Sequence, residues 1–131
     1  TSKPIRIMRF SYLTTCAMIV LGMVTVATAD DENHKIIGKV MKEGLKGDES
    51  PFGKIKAGAA TADDYATLYE LSRTLRGTEA PVGEQEGYDA KVEALITATG
   101  ALAYAGESPE RISAVKEASN CKSCHSEHKP D

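Results

Sequence analysis

Aromatic residues are scarce in this chain of 131 residues, which contains no tryptophan, two phenylalanines and five tyrosines. No stretch alternates apolar and polar residues with a period of two, so the pattern of amphipathic strands is missing. No internal repeat or low-complexity tract is present either. No set of nucleophile, acid and base residues stands out, and we therefore expect a protein that is not an enzyme.

Basic residues are also few beyond the N-terminal segment. Three of the 16 lysines and arginines lie in the first 29 residues, which leaves 13 against 19 acidic residues and a net charge of −6. Nucleic acid requires a basic surface, so we expect no nucleic-acid partner. The remaining chain is long enough for one small domain, in which burial alone gives limited stability. A covalent cofactor could supply part of such a core.

No apolar run is long enough to cross a bilayer, which takes about 20 residues. The longest run, over residues 17–26, follows Arg9 and precedes an A-T-A sequence that ends at Ala29, with acidic residues immediately after it. This is the layout of a secretory signal peptide. We therefore predict a cleaved signal peptide over residues 1–29 and an exported, periplasmic domain over residues 30–131, with no membrane span after cleavage.

Four amphipathic helical segments are predicted in the exported part. Each carries apolar residues three and four apart and is bounded by glycine, proline or a capping residue. Thr61, with Asp64 three places on, has the pattern of a capping box, and Ser108 with Pro109 marks a helix start. The third segment places one apolar face inward, formed by Tyr88, Val92, Leu95, Ile96, Thr99 and Leu102. The segments cover residues 33–47, 61–77, 84–106 and 108–129. The connection at 48–60 should contain one more turn of helix, with Phe52 and Ile55 packed inward. These segments predict an all-α fold, an antiparallel four-helix bundle.

Only three cysteines are present. Cys16 lies in the predicted leader, and the other two belong to a C-x-x-C-H motif formed by Cys121, Cys124 and His125. On a helix these three residues share one side. Two thiols can then add to the vinyl groups of one haem while the imidazole reaches its iron, the c-type attachment pattern. The motif predicts one covalent haem c, held by Cys121 and Cys124, with His125 as proximal iron ligand.

Other uses of the motif remain open. A thioredoxin-like dithiol normally lies in a βαβ setting, which this sequence lacks. A structural zinc site would need further ligands, and the adjacent pair Cys124 and His125 suits one tetrahedral ion poorly. A disulfide between Cys121 and Cys124 is possible where haem is not loaded. His128, one turn beyond His125, is expected to be a surface residue rather than a second ligand.

The motif lies on the last predicted helix, and no methionine follows His125. This arrangement resembles the class II cytochromes c, the cytochrome c-prime family and its low-spin relatives. The similarity is closest over residues 87–129 and looser over residues 33–75. It implies a haem between helices near one end of the bundle, serving electron transfer with redox partner proteins or binding a small gas such as NO or CO. It is also compatible with a homodimer.

The same resemblance implies that helix one faces the distal side of the haem. A methionine there ligates iron in the low-spin members, whereas an apolar residue leaves the site open in cytochrome c-prime. His34 and Met41 are the candidates, and because they lie about 10 Å apart along a helix only one can reach the iron. Aligning residues 44–47 with the end of that helix in the low-spin relatives favours His34 as distal ligand, with Met41 as the alternative. A saturated iron would make the protein an electron carrier, and an open iron would make it a binder of NO or CO.

Overall fold

The computed structural model describes residues 28–131, and every regular element in this range is helical. The all-α class is therefore confirmed for the described residues. The predicted leader lies outside them except for its last two residues, which open the first helix. None of the described helices combines the length and the apolar character that crossing a membrane requires. The elements are α1 (Thr28–Lys39), a π-helical segment (Val40–Leu45), α2 (Pro51–Ala57), α3 (Ala62–Arg73), α4 (Gln85–Ala105), α5 (Pro109–Ala118) and α6 (Cys121–His128).

The short helix predicted in the first long connection is α2. Ser50 caps it, because its Oγ accepts a hydrogen bond of 3.0 Å from the backbone N–H of Gly53. Pro51 occupies the first turn of α2, where a backbone N–H has no partner within the helix. The N–H that proline lacks is therefore not needed there. Phe52 and Ile55 are both buried, as predicted. The connection therefore contributes to the core.

The capping box expected at the start of α3 is present. The Asp64 carboxylate accepts a hydrogen bond of 2.8 Å from the backbone N–H of Thr61, and the Thr61 hydroxyl accepts one of 3.4 Å from the Asp64 N–H. Lys54 Nζ lies 3.3 Å from the same carboxylate. The Thr61 N–H, with smaller help from Lys54, holds the pKa of Asp64 below its ordinary value of 3.8. Two backbone groups at the helix start are thereby satisfied.

Removing this carboxylate should destabilise the protein in a pH-dependent way. We expect Asp64→Ala to lower the free energy of unfolding by about 1 kcal/mol near neutral pH. Because the folded-state pKa is lowered, this stability is present above pH 3.8 and is lost as the pH falls through the lowered pKa. Urea unfolding at neutral and strongly acidic pH measures both values. Asp63→Ala, in the same first turn, is the matched control, and an equal loss at both pH values would contradict the prediction.

Helix α3 ends earlier than its apolar pattern predicted. The pattern ran to Gly77, but α3 stops at Arg73 and turns follow it. The hydroxyls of Thr74 and Thr78 each donate a hydrogen bond of 2.6 Å to the carbonyl three residues earlier. Such side-chain bonds compete with the helical ones. Gly77, with φ of +86°, then lets the chain leave in a new direction.

The first predicted helix consists of two parts, because α1 passes into the π-helical segment. There the Met41 carbonyl accepts a hydrogen bond of 2.8 Å from the backbone N–H of Lys46, five residues later. Val40 and Gly44 are buried. A Cβ on Gly44 would lie 3.2 Å from a methyl of Leu71, so the backbone of this segment passes close to α3.

Buried side chains form two clusters, and α4 contributes to both. The inward face predicted for α4 is buried at all six positions, from Tyr88 to Leu102. One cluster joins the π-helical segment, α3 and α4, and contains Val40, Leu71, Leu75, Tyr88, Val92, Leu95 and Ile96. The other joins α2, α3, α4 and α5, and contains Phe52, Ile55, Tyr65, Leu68, Leu102 and Val115. Leu45 packs against both clusters.

The last predicted helix is also divided, which corrects the expectation that one helix continues into the motif. Ser108 and Pro109 start α5 as predicted, but α5 ends at Ala118. Asn120 then caps α6, with its side-chain oxygen 3.1 Å from the N–H of Ser123. Serine and asparagine favour caps over helix interiors, because their side chains bond the nearby backbone. The motif thus opens a helix of its own, packed against α4.

Candidate functional site

The three motif residues lie in the first five positions of α6. Cys121 and His125 are exposed, and Cys124 is half-buried. Both thiols are free, and the Cys121 Sγ lies 3.5 Å from the Ser119 carbonyl, to which it can donate. The helical spacing places the thiols one turn apart, as predicted. Cys124 lines a cavity.

That cavity is a groove between α4 on one side and α5 with α6 on the other. Its volume is about 660 Å³, within the usual range of small-molecule sites. Five alanines give it small apolar walls, and Cys124 lies at one end. The lining residues are Lys91, Glu93, Ala94, Thr97, Ala98, Ala101, Ala114, Glu117, Ala118, Asn120, Ser123 and Cys124.

Two features set the electrostatics of this groove. Burial raises the pKa of the Cys124 thiol, an effect that the nearby Lys91 ammonium partly opposes. Lys91 Nζ lies 2.6 Å from Glu127 Oε2, and this hydrogen-bonded pair lowers the pKa of the Glu127 carboxyl below its ordinary 4.5. The lining thus combines apolar alanines with one ammonium group, that of Lys91, and the two carboxylates of Glu93 and Glu117.

His128 contradicts the expectation of a surface residue. Its side chain is buried, with Nδ1 3.0 Å from the Val82 carbonyl and the ring edge-on to Tyr88 at a centroid distance of 5.5 Å. On α6, His128 lies seven residues after Cys121 and four after Cys124, so it shares a helix face with the motif. This relation did not indicate burial, because Cys121 and His125 on the same face are exposed.

The two distal-ligand candidates lie outside the groove. His34 is exposed on α1, and its Nδ1 lies 2.8 Å from the Asp30 carbonyl. Asn33, beside it, joins α1 to the backbone of Glu79 through hydrogen bonds of 2.7 and 2.9 Å. Met41 is half-buried in the π-helical segment and belongs to neither core cluster. Neither His34 nor Met41 lines the groove, and their role as ligands stays a prediction.

Within residues 28–131 no three side chains of histidine, cysteine, aspartate or glutamate converge in a way that could hold a metal ion. A closed structural zinc site takes four ligands, so this part of the chain offers no ready-made zinc site. Haem is different, because the porphyrin supplies four ligands and the protein adds only axial ones.

Comparison of the chain with known protein families, with curated proteins and with solved structures finds no match.

Proposed function

We propose that this protein is an exported monohaem c-type cytochrome, similar to class II cytochromes c, that carries electrons between redox partner proteins. The observation that carries the proposal is a C-x-x-C-H motif on one helix whose second cysteine lines an apolar groove. Cys121 and Cys124 would form the thioethers, and His125 would be the proximal ligand. The haem, once bound, supplies one-electron chemistry at its iron.

The residues around the motif fit such a group. Small alanine side chains on α4 and α5 leave room for a flat apolar ring beside Cys124. Lys91 stands where it can offer its ammonium to a propionate, in exchange for its bond to Glu127. His125 is exposed, so its imidazole can turn without displacing a core side chain. The chain's own part is thus to fix two thiols, orient an imidazole and cover one face of the ring.

We further propose that the helices form an antiparallel four-helix bundle, with α5 and α6 together serving as the fourth helix. Asn33 near the start of α1 bonds to Glu79, whereas Gly44, eleven residues later, lies against Leu68. These contacts support opposite directions for helix one and α3. The start of α5 bonds to the end of α4 through Arg111, and the end of α6 contacts the start of α4, which supports opposite directions for that pair.

A second function is favoured by one observation. His34 and Met41 do not line the groove beside Cys124, so either residue would have to approach the iron from outside that groove. An open, five-coordinate iron would bind NO or CO. This alternative shares the attachment chemistry with the electron carrier and differs only on the distal face.

Attachment tests the shared part of both functions. Expressed in a periplasm that contains a haem-attachment system, the chain should carry one haem that remains after acid-acetone extraction. Cys121→Ser and Cys124→Ser should each leave at most one thioether, visible as a shifted α-band in the pyridine haemochrome, and the double variant should retain no covalent haem. Lys122→Ala, within the motif, is the control and should load normally. A haem-free wild-type polypeptide with bound zinc would overturn the proposal.

A further inference from the structure

We propose that His128 is a positioning residue, which locks α6 onto the start of α4 and so sets the direction in which the motif faces. This inference rests on the proposed function, because the motif matters only if it receives a haem. His128 does not touch the reacting atoms itself. Its role would be to hold the helix that carries Cys124 and His125.

The hydrogen bond of His128 determines which of its nitrogens carries the proton. The Val82 carbonyl only accepts, so the His128 Nδ1, 3.0 Å away, must donate. The other nitrogen, Nε2, is buried without a hydrogen-bond partner among the described residues. The nearest carboxylate oxygen, Glu127 Oε2, is 3.6 Å away, beyond hydrogen-bond distance. The side chain thus makes one directional hydrogen bond and leaves its other nitrogen unpaired. Burying an unpaired nitrogen costs free energy, which the hydrogen bond and the packing of the ring must offset.

The opposing surface is built closely around this ring. Gly83 has a φ of +82°, and a Cβ there would collide with the Glu127 carbonyl and lie 2.9 Å from His128 Nδ1. A Cβ on Gly87, one turn into α4, would lie 3.8 Å from His128 Nε2. The ring edge meets Tyr88. The His128 ring therefore packs closely against the backbone at Gly83 and Gly87. This close packing fixes the position of the last turn of α6.

This contact matters more for α6 than for the rest of the fold. The helix has eight residues, far below the length at which a helix is stable alone in water. None of its side chains belongs to either core cluster. Since Cys124 lies one turn before His128, fixing the His128 ring also fixes the rotation of α6 about its axis. Loss of the anchor should therefore turn the motif away from the groove while the two clusters stay folded.

Two pairs of variants separate this role from simple stability. His128→Asn retains an N–H donor near the Nδ1 position, whereas His128→Leu retains bulk without a donor. Gly83→Ala places a methyl against the last turn of α6. Gly77→Ala is its matched control, because Gly77 has a φ of +86° but open space around it. Gly83→Ala and Gly77→Ala thus share the backbone strain, and only Gly83→Ala disturbs the contact with α6.

In the haem-free full-length chain, alkylation of the half-buried Cys124 reports whether α6 is docked. We expect His128→Leu and Gly83→Ala to speed this alkylation about tenfold, the size of one lost hydrogen bond or contact. His128→Asn and Gly77→Ala should stay near the wild-type rate. In the haem-loaded protein, the first two variants should also give a mixture of iron ligation states in the visible spectrum. The far-UV circular dichroism should change little in all four.

The two proposals fail in different ways. A wild-type chain that never takes haem overturns the cytochrome function, whereas the alkylation rates still decide the role of His128. Wild-type alkylation rates in His128→Leu and Gly83→Ala would overturn the positioning role even if haem loads normally. The positioning role would also be overturned if Gly77→Ala sped the alkylation of Cys124 as much as Gly83→Ala does, because backbone strain alone would then explain the effect.

Discussion

Replacing His34 with alanine is expected to convert a ferrous protein that does not bind CO into one that binds one CO per haem. In the proposed cytochrome, histidine on both faces would saturate the iron, and removal of the distal imidazole would open one position. The His34 ring is suited to this role, since its Nδ1 bonds to the Asp30 carbonyl and leaves Nε2 free for a metal. The ferric spectrum should change from low-spin to high-spin in parallel.

Met41→Ala is the matched test of the other candidate. If His34 is the ligand, Met41→Ala should cost some packing and leave the low-spin spectrum intact. If Met41 is the ligand, the two outcomes exchange, and the wild-type potential should be higher, because a thioether favours ferrous iron more than imidazole does. A wild-type protein that binds CO readily, and whose spectrum is unchanged by His34→Ala, would shift the function toward gas binding.

The largest loss of stability is expected from Leu68→Ala, at about 3–5 kcal/mol. Leu68 is fully buried in the cluster that joins α2, α3, α4 and α5, and a methyl of its side chain is close to the backbone at Gly44. Removing three carbons there leaves a cavity that the surrounding helices cannot close. The free energy of unfolding of a small domain is about 5–15 kcal/mol in total. This single substitution should therefore remove a large part of it.

Urea unfolding followed by circular dichroism measures the Leu68→Ala effect. Thr67→Ala, exposed at the preceding position of α3, is the control and should change the free energy of unfolding by less than about 0.5 kcal/mol. A loss below about 1 kcal/mol for Leu68→Ala would contradict the prediction. It would mean that this part of the core repacks, and that α2 is only loosely held against α3.

Local rules were sufficient wherever a few neighbouring residues decide the outcome. The capping box at Thr61, the proline start of α5 and the buried face of α4 were all predicted from residues within one or two turns. Hydrogen bonds at a helix start involve the first turn alone, and apolar periodicity reports directly which face is buried. Neither requires knowledge of the distant chain.

The wrong predictions concern choices that depend on partners elsewhere. The burial of His128 depends on a backbone surface at Gly83, more than forty residues earlier in the sequence. The break after Ala118 and the early end of α3 depend on small competitions between helical and side-chain hydrogen bonds. The spacing of apolar residues in the sequence does not predict the π-helical segment. For the site, the sequence could identify the motif residues, but it could not show the groove that Cys124 lines.

The wide turn at Val40–Leu45 has a consequence for the direction in which the start of helix one faces. Bonding between residues five apart places Val40 and Leu45 on the same side of the helix, where regular α-helical winding would separate them. The segment therefore changes the rotation of α1 about the helix axis relative to the residues that follow Leu45. Winding the same residues as a regular α-helix, with none deleted, would turn everything upstream by roughly 100° relative to the core. His34 would turn with it, so the direction in which this candidate ligand points depends on how many residues the Val40–Leu45 segment places in one turn.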